Sequence, residues 1–335
     1  MREAVKEQPA VSGGKGGELN RARSLLLDEV ERHPTLSMGA QGDIRIGISG
    51  WRYKGWRGSF YPEGLPQRAE LEYAARHFNA IELNGSFYSL QRPEHFERWY
   101  NETPPGFVFA VKGSRYVTHM LRLLRIEAAL ANFFAQGVLR LEEKLGPILW
   151  QFPPQVKFDA ARFGAFFSLL PRTHKEAADL GRLHDHRLDG RDWVNVSQDR
   201  PMRHAVEIRH DSFVCDDFIA LLRKHRVGLV VADTVEWPLL MDVTTDFVYC
   251  RLHGSKQLYA SGYGPKAIAQ WADRVQRWST GQEVDDGKKA CGKDARHRST
   301  RDVYVFFDND AKVRAPFDAQ ALRKAVARGR ERLAA

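Results

Sequence analysis

Cysteine is scarce: Cys215, Cys250 and Cys291 are the only three in 335 residues, and no two form a CxxC pair. That excludes a disulfide framework and makes a reducing cytoplasm the expected setting. No stretch approaches the roughly 18 consecutive apolar residues that cross a bilayer, so no membrane role is expected. No GxGxxG follows the first apolar run, which argues against a dinucleotide enzyme. No GxSxG elbow points to a serine hydrolase. The glycine-rich stretch 11–17 lacks the GxxxxGK[ST] order of a phosphate loop and reads as linker. Aromatics are not scarce: 8 Trp, 19 Phe and 10 Tyr, within a composition 43% hydrophobic and 28% charged, give ample material for a core.

Charge is unevenly placed. The formal net charge is +9. Within residues 1–42, Arg2, Lys6, Lys15, Arg21, Arg23 and Arg32 are balanced by Glu3, Glu7, Glu18, Asp28, Glu29 and Glu31. The whole excess therefore falls on 43–335. A basic balance permits an acidic partner, either nucleic acid or a phosphorylated ligand, without requiring one. Residues 1–42 read as a flexible N-terminal extension carrying one amphipathic helical stretch, and 43–335 as the folded domain.

From residue 43 onward short apolar runs recur at 44–48, 80–83, 107–111, 147–152, 205–208, 227–232, 247–252 and 303–307. Their length and their content of Val, Ile, Leu and Phe suit strands buried on both faces. Helical patterns at 67–77, 93–101, 126–145, 159–170, 216–225 and 265–281 separate most of them. Such alternation predicts βαβ units, and eight of them predict an α/β fold of the (β/α)8 TIM-barrel type, with an open doubly wound sheet as the alternative. Two polar stretches, 172–203 and 283–301, read as insertions. The connection 233–247 is too short for an ordinary crossover helix.

Polar residues gather where these runs end. Run two closes on Glu82 and Asn84, run three on Lys112, and run four on Gln151. Run five closes on Glu207, Arg209 and His210, run six on Asp233, run seven on Arg251 and His253, and run eight on Asp308 and Asn309. Strand side chains alternate faces, so Glu82 shares a face with Asn84, Glu207 with Arg209, and Arg251 with His253. Ile81, Leu83, Ile208, Leu252 and Cys250 take the opposite, helix-facing side. In a barrel this places the charged set inward at the C-terminal mouth, where barrel enzymes keep their active sites. The alternative is an ion-pair network that satisfies only itself, through Glu207 with Arg209 or Glu82 with Lys112.

These same residues carry a family resemblance. The opening Ile46-Gly47-Ile48-Ser49-Gly50-Trp51, with Tyr53, Trp56, Gly58 and Phe60-Tyr61-Pro62, resembles that of the YecE-like family, catalogued also as domain of unknown function 72. Glu82-Leu83-Asn84, Phe107 to Lys112, Ser114-Arg115-Tyr116 with Thr118-His119, and Glu207-Ile208-Arg209-His210 follow in the family's order. So do Arg251-Leu252-His253-Gly254 and Val303 to Asp310. Phe213 departs from the pattern, standing where Trp is common. The resemblance runs from about residue 43 to the C-terminus and implies a TIM barrel. It implies no activity.

Three chemistries are open to the mouth residues. Glu82, Glu207, Asp233 and His253, with His210 and Asp308, are candidate ligands for a divalent metal, although Arg209, Arg251 and Lys112 would repel a cation cluster. Without metal, Arg209, Arg251 and Lys112 would clamp a small anionic or phosphorylated ligand. Glu82, Glu207, Asp233 and His253 would then act as acid or base, and Asn84, Gln151 and Asn309 would orient the substrate. Phosphoester hydrolysis is one such reaction. Lys112 is expected to pair with Glu82 sooner than to form a Schiff base. The third reading is a non-catalytic nucleic-acid-binding barrel, in which Trp51, Tyr53, Trp56, Phe60 and Tyr61 stack bases among Arg52, Lys54 and Arg57, and Arg122 and Arg125 add basic surface.

Overall fold

The computed structural model describes residues 41–254 and 257–334. The expected flexible extension and its helical stretch lie almost wholly outside the described residues. Each apolar run becomes a strand. These are β1 Ile44–Ser49, β2 Ala80–Leu83, β3 Val108–Lys112, β4 Leu145–Gln151, β5 His204–Glu207, β6 Gly228–Asp233, β7 Phe247–Leu252 and β8 Asp302–Phe307. All pairs are parallel, and the ring closes because β1 also pairs with β8 in the register Ile44↔Val303 to Ile48↔Phe307. Closure excludes the open sheet and confirms the TIM barrel.

Period-two alternation divides the apolar residues into two clusters. One lies inside the barrel and includes Ala80, Leu149, Val230, Tyr249, Tyr304 and Phe306. The other fills the space between barrel and helices and takes Ile81, Leu83, Ile208, Cys250 and Leu252, all on the predicted side. At the N-terminal end of the strands, Arg203 bridges Asp302 (2.6 Å), Asp246 (2.9 Å) and the Tyr304 hydroxyl (3.1 Å). That end is thereby tied together by a charged network.

The helices follow the predicted patterns, with one instructive break. The pattern at 126–145 divides into a helix Glu127–Ala135 and a 3-10 stretch Val138–Lys144. Gly137 causes the division. Its φ of 106° is left-handed, and a Cβ there would lie 2.5 Å from the Pro93 Cα. The insertion 172–203 contains its own helix, His174–Gly181, capped by the Thr173 side chain accepting from the Glu176 N–H.

No helix follows β6, as the short connection predicted. The second insertion takes the missing cover. Both Asp242 carboxylate oxygens accept from its backbone, at the N–H groups of Ala290 (2.7 Å) and Cys291 (3.0 Å). Leu240, Met241, Val284 and Cys291 then join one buried cluster. No helix among the described residues is long and apolar enough to cross a membrane.

Candidate active site

Inward parity brings charged side chains from four strands to the C-terminal mouth, and Arg251 at the end of β7 is their hub. Its Nε and Nη2 donate to the two Glu82 oxygens at 3.0 and 2.9 Å. Its Nη1 donates to Glu207 at 2.6 Å, and Nη2 reaches Asp308 at 2.7 Å. Glu82 is completed by the Ser49 hydroxyl (2.6 Å) and the Tyr249 hydroxyl (2.7 Å). Asn84 Nδ2 donates in turn to Ser49 Oγ at 2.9 Å. Arg209 donates through Nε to Glu207 at 2.9 Å, and its guanidinium stacks 4.0 Å over the Trp237 ring. Glu82, Glu207 and Arg251 are essentially sealed from solvent.

The electrostatics follow from this packing. Burial opposes the charge on Glu207, but the adjacent Arg251 and Arg209 overcome it and hold its carboxyl well below the usual range. Asp308 is likewise depressed: burial is offset by Arg251 and His253. His253 is fully buried, with Nδ1 3.2 Å from Asp308 and Nε2 3.7 Å from Glu207. Neither ring nitrogen has a well-aligned hydrogen bond among the described residues. The Trp237 and Tyr259 rings meet it edge-on. Asp310, just past Asp308, is raised to about 6 by burial and by that neighbouring carboxylate.

The expected pairing of Lys112 with Glu82 does not occur. Glu82 is already saturated by Arg251, Tyr249 and Ser49. Among the described residues Lys112 forms neither a hydrogen bond nor an ion pair through Nζ, which lies 4.2 Å over the Phe87 ring. Lys112 keeps 8% of its surface. Burial, then repulsion from Arg251, lowers its ammonium to about 8. The strand end is firmly held: Ser86 Oγ donates to the Lys112 carbonyl at 2.7 Å. A Cβ on the following Gly113 would strike the Trp150 ring at 2.3 Å, so only glycine lets Trp150 close against β3.

Of the residues predicted from sequence, Glu82, Asn84, Lys112, Gln151, Glu207, Arg209, Arg251 and His253 lie at this mouth. Asp233 and Asn309 do not share its inner face. Ala232 belongs to the inner cluster, so the next residue turns outward, and Asp233 accepts from Trp271 Nε1 at 3.1 Å, on the helix Pro265–Ser279. Asn309 donates to the Ser261 carbonyl and to Asp318, bracing a loop against the C-terminal helix. His210 caps the turn Asp211–Phe213 through its bond with the Ser212 N–H. Arg251 is not placed to clamp an incoming anion, because carboxylates occupy both its Nε and its Nη groups. The same fact answers the metal expectation. The carboxylates of Glu82, Glu207 and Asp308 converge on a guanidinium, and no group of three or more metal-ligating side chains is disposed around a common point among the described residues. The residues present do not fit a divalent ion. Four of the five aromatics of the proposed base-stacking loop are packed away: Trp51, Trp56, Phe60 and Tyr61 are each at most 7% exposed, while Tyr53 is half-buried.

A family model described as "Protein of unknown function DUF72" matches residues 45–335. The chain belongs to the DUF72 family. UPF0759 protein YunF of Bacillus subtilis (strain 168) is 34% identical over 116 residues, 33% of this chain and 40% of the relative. UPF0759 protein YecE of Escherichia coli (strain K12) is 29% identical over 110 residues, 33% of this chain and 38% of the relative. The chain thus spans about two fifths of the length of the curated relatives it matches. A crystal structure of a DUF72 protein from Thermotoga maritima superposes with a TM-score of 0.63 at 24% identity, covering 85% of this chain and 99% of that one. One from Enterococcus faecalis V583 gives 0.59 at 17%, covering 85% and 95%. At these identities the likeness is one of fold.

Some members of the mouth in this DUF72 barrel escaped strand-end reasoning. Ser49 closes β1 one residue past the apolar run 44–48, and Tyr249 sits within β7. Tyr259 and Trp237 come from loops, and so does His119, in a single π-helical turn Tyr116–Met120 after β3. His119 lies 3.4 Å from the Gln151 amide through Nε2 and 2.8 Å from Thr118 Oγ1 through Nδ1. Burial, then the nearby charges of Lys112, Arg209 and Arg115, push it down to about 4, and it is neutral at physiological pH. The Thr118-His119 pair in the sequence was the available signal, but nothing local ties a loop histidine to Lys112.

Proposed function

We propose that this DUF72 barrel is an enzyme acting on a small anionic or phosphorylated substrate at its C-terminal mouth. One observation carries the reading: the site is electrostatically lopsided. The carboxylates of Glu82, Glu207 and Asp308 gather around Arg251. On the β3 side Lys112 has no carboxylate partner among the described residues, and Arg209 and Arg115 bring further positive charge toward the neutral His119. A buried cation with no direct ion pair is costly; Glu82, Glu207 and Asp308 act on Lys112 only from a distance, and an anion arriving beside it would relieve that cost. Glu207 and His253 are the acid–base groups of the reading, and Gln151 and Asn84 its orienting amides. Phosphoester hydrolysis fits less well than other reactions, because the carboxylates that would hold a metal are spent on Arg251.

The test is stabilisation by inorganic phosphate. A ligand that binds only the native state raises Tm in proportion to the logarithm of its concentration. Phosphate should raise Tm more than chloride at equal ionic strength, and Lys112→Met should remove the difference. Equal responses to the two salts in the parent protein would end the reading.

A further inference from the structure

We propose that Lys112 is a covalent nucleophile, forming an imine with a small aldehyde or ketone that carries an anionic group. The inference rests on the anionic-substrate reading above and assigns the chemical class of the substrate.

The contrast with the other buried lysine makes the case. Lys144 is also buried, but its Nζ donates to the Tyr100 carbonyl (2.6 Å), the Thr103 carbonyl (2.7 Å) and Thr103 Oγ1 (3.2 Å). It spends every N–H on closing a helix end, as a structural lysine does. Lys112 spends none among the described residues. It sits at the C-terminal end of a barrel strand, on the inner face, with its backbone fixed by Ser86 and Gly113 and its Nζ against the Phe87 ring. Burial and the cationic Arg251 favour the free amine over the opposing pull of Glu82, Glu207 and Asp308, and the free amine is the reactive form of a lysine nucleophile. An amine whose acidity lies near 8 is unprotonated in a usable fraction of molecules at neutral pH.

The reaction balances without a further reagent. The ammonium first releases a proton to water at the part of its surface that stays exposed. The nitrogen lone pair then forms a bond to the carbonyl carbon, and the carbonyl π pair moves to oxygen, which takes up a proton. The carbinolamine loses that oxygen as water, and a C=N bond replaces C=O. A protonated imine withdraws electrons from the adjacent carbon, so the reactions it supports are proton removal or bond cleavage at that carbon.

Reductive trapping tests this on the full chain. The protein is incubated with glyoxylate or glycolaldehyde phosphate at limiting concentration, reduced with cyanoborohydride, and mapped by peptide mass spectrometry. Lys112 should carry the adduct at least about tenfold in preference to surface lysines, and Lys112→Arg should lose it. Adducts spread evenly over surface lysines would overturn the proposal. A second measurement needs no variant: in competitive acetylation the Lys112 reactivity should rise with a midpoint near 8, and a midpoint near that of the surface lysines would count against it. The two readings fail separately. Stabilisation by phosphate without an adduct leaves anion binding standing and removes the imine. An adduct without stabilisation by phosphate does the reverse.

Discussion

Lys112 and Arg251 are both buried cations at one barrel mouth, and substitution should move stability in opposite directions. Lys112 pays a desolvation cost with no ion pair in return. Its folded value of about 8 lies below the ordinary 10.5, so the folded state holds this proton less tightly than the unfolded chain. Below pH 8 both states are protonated and the penalty is full. Stability rises with pH between about 8 and 10.5, where only the unfolded chain keeps the proton. Lys112→Met should therefore stabilise the protein at pH 7, by on the order of 2 kcal/mol, and the gain should vanish above pH 10.5. Urea unfolding at both pH values checks this; destabilisation at pH 7 would mean that the amine is structural. Arg251→Met leaves Glu82 and Asp308 without their cation and Glu207 with Arg209 alone, and should cost about 3–5 kcal/mol or prevent folding.

At the scale of elements, strands and most helices were legible, and the contacts that interrupt or anchor the connections were not. A run such as Val303–Phe307 can only be buried on both faces, and strand parity is a local property, so Cys250 could be assigned to the helix side and Glu82 to the interior from sequence. Asp233 defeated the same rule because it was read as a strand end without counting from Ala232. The 126–145 helix was overextended because Gly137 answers to Pro93, far away in sequence. The insertion 283–301 read only as a polar interruption, yet its Val284 and Cys291 join the buried cluster with Leu240 and Met241 beside the helix-less connection after β6, and Asp242 is its anchor. Asp242→Ala strands the buried Cys291 N–H and the half-buried Ala290 N–H and should cost about 1–3 kcal/mol. Limited proteolysis should then cut within 283–301, and an unchanged digestion pattern would show that the anchor is dispensable.

For the whole molecule, acid should be damaging earlier than carboxylate chemistry alone implies. His204 is fully buried. Nδ1 accepts from Trp150 Nε1 at 3.1 Å and Nε2 donates to the Pro171 carbonyl at 2.7 Å, so the ring is full while neutral. Burial drives it down to about 3. His119 and His174 are lowered too, burial again being the largest cause. The folded state then binds fewer protons than the unfolded chain below about pH 6.5, and stability falls as pH drops from there toward 3. Asp310, raised to about 6, acts in the opposite sense. The depressed Glu207 and Asp308 add their loss only below about pH 4.5. The urea midpoint should accordingly fall between pH 7 and pH 5, and His204→Gln, which can keep both hydrogen bonds, should flatten that slope. A midpoint constant over this range would refute the assignment. The net charge of +9 is expected to give weak attraction to nucleic acid that disappears with salt, since four of the five aromatic residues that would stack bases, Trp51, Trp56, Phe60 and Tyr61, are inside the fold.

The sequence alone determined the eightfold strand–helix alternation, the face each strand residue takes and the end of the barrel that carries polar groups. All three follow from periodicity over a few residues. Which cation answers which carboxylate was decided only by the closed barrel. Closure and strand stagger bring Arg251 between Glu82, Glu207 and Asp308, residues separated by 169, 44 and 57 positions. Once Arg251 occupies that place, Glu82 has no oxygen left for Lys112, and the lysine is left as a buried amine beside an aromatic ring.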